Sequence, residues 1–494
     1  MTTLVPRAPY SSEELAQLYP KELELQQVQV ILRHGERTPV SARFENAGLP
    51  AYWPYCTAAS MLKHNVLTAD AWDTFTWKRR LETFERQLDK SGSDSPASIK
   101  GPSGEIDYIC NAGELTDRGR ETTLALGQRL RNLYVDRLNF LPARLDSTLS
   151  DSIRLRATPI PRALQSTQQV FTGLYPQAHR DPGLSPPAIT QRSFADETLF
   201  PNEGFCKRFN ELAKAFAART AQLWNDSPEL EYVNKRIGKY MPAESPVIKV
   251  DSHPRLSGVM DTINATLAHG PATRLPSDFY DPTALANIDR VCTEEWFVGY
   301  LESNEYRKLG IGALVGDLVQ NMVEKTQSRD HKFKLGLSGC HDTTIAALLA
   351  SLGAYDTRKD KWPPYTSSIA FELHKRRGVS PSGAIWPSQN KTWWSSLFGS
   401  KAASNPRTAI DEMSASEKQS LEGYYVRVRY NDKALILPYC QVPGRHLEGD
   451  EGLCTLAAFK EAADSVTPKD WKAECKMNLG QPAQRPVIER PPGW

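Results

Sequence analysis

The feature that most constrains the fold is the stretch Arg33-His34-Gly35-Glu36-Arg37-Thr38-Pro39, which directly follows the β-rich run Leu25 to Leu32. A strand apolar enough to be buried, ending in a cluster of cations, suits an open α/β sheet, where ligands bind outside the carboxyl ends of the strands. Two arginines flanking a histidine form an anion trap, because the planar guanidinium binds phosphate oxygens in pairs and stays charged at any working pH. Gly35 is expected to let the backbone turn sharply so that the imidazole projects. An isolated Arg-His-Gly is more often an ordinary surface or core histidine, so the rest of the chain has to decide.

At 494 residues the chain exceeds one hydrophobic core, which predicts two domains or one large domain with an insertion. Apolar residues make up 40% and charged residues 24%, which excludes fibrous and wholly disordered classes. Sixty Lys and Arg against 58 Asp and Glu leave +2, too even for bulk attraction to nucleic acid, so any anion site is local. No apolar run reaches the roughly 18 residues of a transmembrane span. Residues Met1 to Tyr10 carry no apolar h-region, so the expectation is an intracellular protein, cytoplasmic first and mitochondrial second, not secreted if this start is the true one. Eight cysteines without a CxxC speak against structural zinc. Cys440 and Cys454 would pair in an oxidising compartment and remain thiols in the cytosol. The glycosylation sequons at Asn264 and Asn390 are read as silent.

The pattern along the chain predicts an α/β core of residues 20–40, 103–195 and 326–480, with a mainly parallel central sheet flanked by helices. Residues 41–102 and 196–325 read as helical cap and lid insertions, the first carrying one helical piece near Lys78 to Leu88. Helices are predicted after Thr116, over 163–175 and over Thr343 to Leu352, the last stopped by Gly353. Strands are predicted at Ser152 to Leu155, Phe333 to Leu337, Ser368 to Leu373 and Tyr425 to Tyr430. Residues 375–423 form a low-complexity surface insertion, in which Trp393 and Trp394 suit either an interfacial lipid anchor or a loop folded onto the body. The Gly310, Gly312, Gly316 series lacks the spacing and the preceding strand of a dinucleotide loop.

Several ordered blocks share one resemblance. Arg33 to Pro39 resembles the R-H-G-x-R-x-P signature of the histidine acid phosphatases, branch 2 of the histidine phosphatase superfamily. Glu114-Leu115-Thr116-Asp117-Arg118-Gly119 looks like that family's L-T-x-x-G segment. Arg156-Ala157-Thr158, with Arg162, Ser166 and Gly173-Leu174-Tyr175-Pro176, is similar to its next block, followed by Leu199-Phe200-Pro201-Asn202 and Ser338-Gly339-Cys340-His341-Asp342-Thr343-Thr344. Lys361-Trp362-Pro363-Pro364, Val426 to Asn431 and Gly452-Leu453-Cys454 resemble the subgroup that contains lysophosphatidic acid phosphatase.

The resemblance implies a phosphoglycerate-mutase-like core and a phosphomonoesterase using no cofactor and no metal. It would make His34 the nucleophile that carries the phosphoryl group and Asp342 the general acid. Arg33, Arg37, Arg156 and His341 would bind the phosphate. Phosphoryl transfer depends mainly on positioning and charge neutralisation, which three guanidiniums supply. The arginines should lower the His34 pKa and keep it neutral for attack, yet the same charges oppose the protonated Asp342 that a general acid needs. Simpler roles remain for single residues: Asp342 as a helix N-cap, Arg156 as a solvated arginine, Cys340 as a packed small residue. The implied partner is a small phosphate monoester. Lysophosphatidic acid stands first, with sugar or inositol phosphates and a catalytically silent phosphate binder as alternatives. Aromatic residues of the first insertion, Trp53, Trp72 and Trp77 among them, suit either a pocket for an apolar leaving group or ordinary packing.

Overall fold

Strand β1 (Leu23–Arg33) is buried without a break from Gln27 to Arg33, as a strand covered on both faces must be. Val28, Val30 and Leu32 join one buried cluster with Leu126, Leu130, Val170 and Leu174, while Ile31 joins a second on the opposite face with Leu314, Leu318, Ile345 and Phe371. Gln29 also lies on that second face, buried but satisfied, its amide nitrogen donating to Leu318 O at 2.9 Å and its oxygen accepting from Asn321 at 2.8 Å. The computed structural model describes residues 7–86, 94–147, 150–328, 331–378, 407–483 and 490–494.

The other strands of the main sheet are β2 (Ile153–Ala157), β3 (Ile189–Thr190), β4 (Leu335–Cys340), β5 (Ser368–Arg376), β6 (Tyr424–Tyr430), β7 (Lys433–Ala434), β8 (His446–Leu447) and β9 (Asp450–Thr455). Their spatial order is β8-β9-β6-β5-β1-β4-β2-β3, with β7 on β6. The core strands β1, β4, β2 and β3 run parallel, and β5, β6, β9 and β8 continue the sheet antiparallel from the other edge of β1. The sheet is therefore mixed. Helices α1 (Asp117–Arg131) and α2 (Pro161–Leu174) cover one face; the Thr116 hydroxyl caps α1 at the Gly119 N–H.

Helices α3 (Lys207–Trp224), α4 (Pro228–Ile237), α5 (Leu256–Ala268) and α6 (Pro282–Glu302) make this stretch a helical insert. It has a hydrophobic cluster of its own, in which Leu230, Val233, Ile237, Ile263 and Ile288 pack with Phe44, Leu49 and Trp53 from the first insertion. Helix α7 (Ala313–Gln327), counted with that insert from sequence, packs instead on the sheet face of Ile31.

The first insertion departs from its expected helical character. Its described part holds two hairpins, Met61–Leu67 with Trp72–Lys78 and Glu82–Arg86 with Asp94–Ser98. Of the helical piece expected near Lys78 to Leu88, the described residues Lys78 and Glu82–Arg86 are strand, because aromatic and threonine residues favour extended backbone once a partner strand supplies the hydrogen bonds. Trp72 and Trp77 are 71% and 52% exposed on this hairpin, whereas Trp53 is buried at 1%, so none of the three fulfils the expectation of a substrate pocket. Residues 379–406 lie outside the described residues, and with them the anchor reading of Trp393 and Trp394.

Three disulfides close the fold: Cys440–Cys454, and two for which the linear order holds no pairing signal, Cys56–Cys110 and Cys206–Cys475. Cys292 and Cys340 are free and buried. Peptide mapping without reduction is expected to recover these three pairs, with Cys292 and Cys340 alkylated only after denaturation.

A buried ion pair ties the antiparallel half to the rest. Glu372 accepts from Arg429 at 2.8 Å, Tyr134 at 2.6 Å and Tyr19 at 2.7 Å. Burial pushes the Glu372 carboxyl up, but Arg429, followed by His374 and Tyr134, outweighs it, so the group sits well below its ordinary range. Its stabilisation is present above the unfolded pKa of about 4.3 and fades only as pH falls through the lower folded value. Glu372→Leu, which strands the Arg429 charge, is expected to cost about 3–5 kcal/mol in urea unfolding followed by tryptophan fluorescence.

Candidate active site

Parallel pairing brings the chemistry together. The register sets Arg33 opposite Cys340 on β4 and Gly339 opposite Ala157 on β2, so the next residues, His34, His341 and Thr158, leave the sheet side by side at its carboxyl edge. Gly35 is needed there for close approach: a Cβ on it would lie 2.2 Å from Gly119 O, and one on Gly119 would lie 2.2 Å from Glu36 O. The His34 loop and the start of α1 thus meet backbone to backbone. Helix α8 (Asp342–Ser351) begins directly after His341, adding the positive end of its dipole to the site.

His34 is 1% exposed, and its Nδ1 lies 2.8 Å from Gly35 O. A carbonyl only accepts, so Nδ1 carries the proton and the lone pair is on Nε2. Burial first, then Arg162, Arg33, Arg37 and His341, push the His34 pKa well below its usual value, so the ring is neutral in mildly acidic solution. The His341 ring lies 5.4 Å from that of His34, its Nε2 is 3.0 Å from Thr158 Oγ1, and burial with the arginines also lowers its pKa.

Arg33 donates to Asp342 Oδ2 at 2.6 Å and to Pro363 O at 2.6 Å, with its guanidinium 4.2 Å from the centre of the Tyr365 ring. Trp362 Nε1 donates to the same Asp342 oxygen at 3.0 Å. Burial raises the Asp342 carboxyl, but Arg33, Arg37 and the Trp362 hydrogen bond hold it below the usual carboxylate range, so it is ionised before substrate binds. Arg37 is anchored on Asp261 at 2.7 Å, a carboxylate shared with Arg43 at 3.4 Å.

The structure corrects one assignment. Arg156 does not face His34. It lies within β2, where side chains stand perpendicular to the sheet, and it pairs with Glu197 at 2.6 Å and Asp317 at 3.4 Å in a separate cleft beside α7. The third guanidinium near His34 is Arg162, in the first turn of α2. Burial and the neighbouring Arg37 lower the pKa of Arg162 to about 10; its Nη1 donates to Gly113 O at 3.5 Å, and no carboxylate among the described residues pairs with it, which leaves its charge to an anion. Ser166, one helical turn on and so on the same face, accepts the Gly35 N–H at 3.1 Å, which turns this face of α2 toward the His34 loop.

A cleft of about 520 Å³ opens from this point, lined by Arg33, Arg37, Asp342, Trp362, Tyr365 and residues of α5. A larger cleft of about 670 Å³ holds Arg156 and Asp317 and lies away from both histidines. Cys340 is packed, and burial pushes its thiol up, which suits a structural residue.

This constellation defines a phosphoryl-transfer site on an α/β core. The model of the histidine phosphatase superfamily (branch 2) matches residues 24–431, and the chain belongs to that family. A probable acid phosphatase of Schizosaccharomyces pombe is 37% identical over 93% of this chain and 95% of its own length. Human lysophosphatidic acid phosphatase type 6 is 26% identical over 61% of this chain and 63% of its own. Among solved structures, the multiple inositol polyphosphate phosphatase of Bifidobacterium longum with phosphate superposes with TM-score 0.54 at 12% identity, over 94% of this chain and 97% of that one. The Hafnia alvei phytase with tartrate gives 0.53 at 13%, over 92% and 99%. The chain is accordingly a phosphoric monoester hydrolase of the histidine acid phosphatase type.

Proposed function

We propose that His34 Nε2 attacks the phosphorus of a monoester held by Arg33, Arg37, Arg162 and His341. The bond to the leaving oxygen breaks as Asp342 protonates that oxygen, giving a phosphohistidine. Water, losing its proton to Asp342, then displaces the histidine and releases phosphate. The observation that carries this reading is a buried, neutral His34 with its protonated nitrogen turned onto Gly35 O, among cations. Asp342 is ionised at rest. As Arg33 turns from it to the phosphoryl oxygens, the carboxylate loses its strongest cationic partner and gains an anionic neighbour, and both changes raise its pKa.

For the substrate we favour a monoester with one phosphate and an apolar or mixed leaving group, lysophosphatidic acid first. The cleft beyond the arginines offers Trp296, Trp362, Tyr365 and Met260. The cleft also holds Arg43, which shares Asp261 with Arg37, and Arg255, which pairs with Glu295, so a second phosphate is the competing reading that the substrate comparison decides. Comparing kcat/KM for lysophosphatidic acid, glucose 6-phosphate and inositol hexakisphosphate tests this. The expected order puts the lipid first by about tenfold or more. Preference for inositol hexakisphosphate would establish the phytase-like reading, and no turnover of any would leave the silent binder. The three disulfides further favour maturation in an oxidising compartment over the cytoplasm expected from the N-terminus.

A further inference from the structure

We propose that Arg156 is a positioning residue: through Glu197 it braces the segment that supports His341, and it does not touch the phosphoryl group. The proposal rests on His341 belonging to the phosphoryl pocket.

Glu197 is fully buried, and its Oε1 gathers three donors: Arg156 Nη2 at 2.6 Å, Thr198 N at 2.8 Å and Leu199 N at 2.7 Å. Arg156 Nη2 also reaches Thr198 Oγ1 at 3.1 Å, and Asn202 Nδ2 donates to Glu197 O at 3.1 Å. One carboxylate oxygen therefore sets the backbone direction of residues 197–199, and a guanidinium fork keeps that carboxylate in place.

From this segment two contacts lead to His341. Thr344 Oγ1 donates to Leu199 O at 2.5 Å and accepts the His341 backbone N–H at 3.4 Å. The Phe200 ring meets the His341 ring edge to face, centroids 6.1 Å apart. A third path runs along β2, since Thr158, two residues after Arg156, donates its N–H to Gly339 O at 3.1 Å and meets His341 Nε2 through its hydroxyl. Asp317 of α7 fixes the far side of the fork at 3.4 Å and also holds Arg192 at 2.9 Å. The ion pair thus acts on the placement of one imidazole, and misplacement of about 1 Å in such a site can cost on the order of 100-fold in rate.

The experiment compares Arg156→Met, Arg156→Lys, Glu197→Gln and Arg162→Met in the full chain. It reads kcat and KM on p-nitrophenyl phosphate, inhibition by inorganic phosphate, and the ring signals of ¹³C-labelled histidines, with His341 assigned through His341→Asn. Arg156→Met is expected to lower kcat about 10- to 100-fold, to change phosphate inhibition by less than about threefold, and to move the His341 signal. Arg156→Lys keeps one N–H for Glu197 and should recover most of kcat. Glu197→Gln retains an oxygen for the two backbone donors and should move the His341 signal less. Arg162→Met should weaken phosphate inhibition by about tenfold or more while leaving His341 in place. The proposal is overturned if Arg156→Met weakens phosphate as much as Arg162→Met, or if it leaves both kcat and the His341 signal unchanged. Should Arg156→Met fail to fold, the Lys and Gln variants decide by the same signals. The His341 signal requires no turnover, so a failed phosphatase reading is distinguishable from a failed brace.

Discussion

His34→Ala is expected to lose about 10⁴-fold or more in kcat on p-nitrophenyl phosphate while keeping its fold, because the nitrogen proposed to carry the phosphoryl group is removed from among Arg162, Arg33 and Arg37. Wild-type activity is expected to survive EDTA, since guanidiniums supply the charge neutralisation that a cation supplies elsewhere. Alkaline quenching during turnover, which preserves the acid-labile N–P bond, should trap ³²P on the wild type and not on the variant. Because the His34 pKa is pushed down, its protonation does not limit activity until pH lies well below the usual value of about 6.5. A variant with half the wild-type rate would end the assignment.

Asp342→Ala is expected to lose about 10²–10⁴-fold in kcat on alkyl phosphates, the range for a general acid. The loss should be much smaller on p-nitrophenyl phosphate, whose leaving group departs without a proton. The pH profile carries the sign. Asp342 acts protonated, so kcat should fall on the alkaline side through the pKa of this group in the substrate complex, above its depressed resting value. In Asp342→Asn that alkaline limb should vanish. Equal losses on both substrates, with the limb retained, would instead make Asp342 only the first residue of α8 and a partner of Arg33.

Much of the site was legible because its residues sit in continuous blocks where one strand or turn delivers them. Arg33 ends β1 with His34 and Arg37 in the loop just after it, and His341 and Asp342 sit at the junction of β4 and α8. Arg156 and Arg162 show where this ends. Both belong to the same block, and linear order cannot say which one faces the nucleophile. That depends on β2 still being strand at 156, which points its side chain off the sheet face, and on the first turn of α2 folding back over Gly35. The hairpins of the first insertion were missed for a related reason: their strands bury little, so no burial pattern was imprinted on the sequence.

What the sequence determined by itself was local: a buried strand ending in cations, the capped helices α1 and α8, the strand-and-helix alternation of the core, and the residue types of a phosphoryl site. Tertiary structure alone decided what depends on pairing across long separations. It set β4 beside β1 in parallel so that His341 meets His34, and it joined Cys206 to Cys475 across 269 residues. It turned Arg156 onto Glu197 and gave its expected place to Arg162. Periodicity and capping act within a few residues and are written in order along the chain. Register and side-chain direction at a site are set by packing between distant segments, which that order does not record.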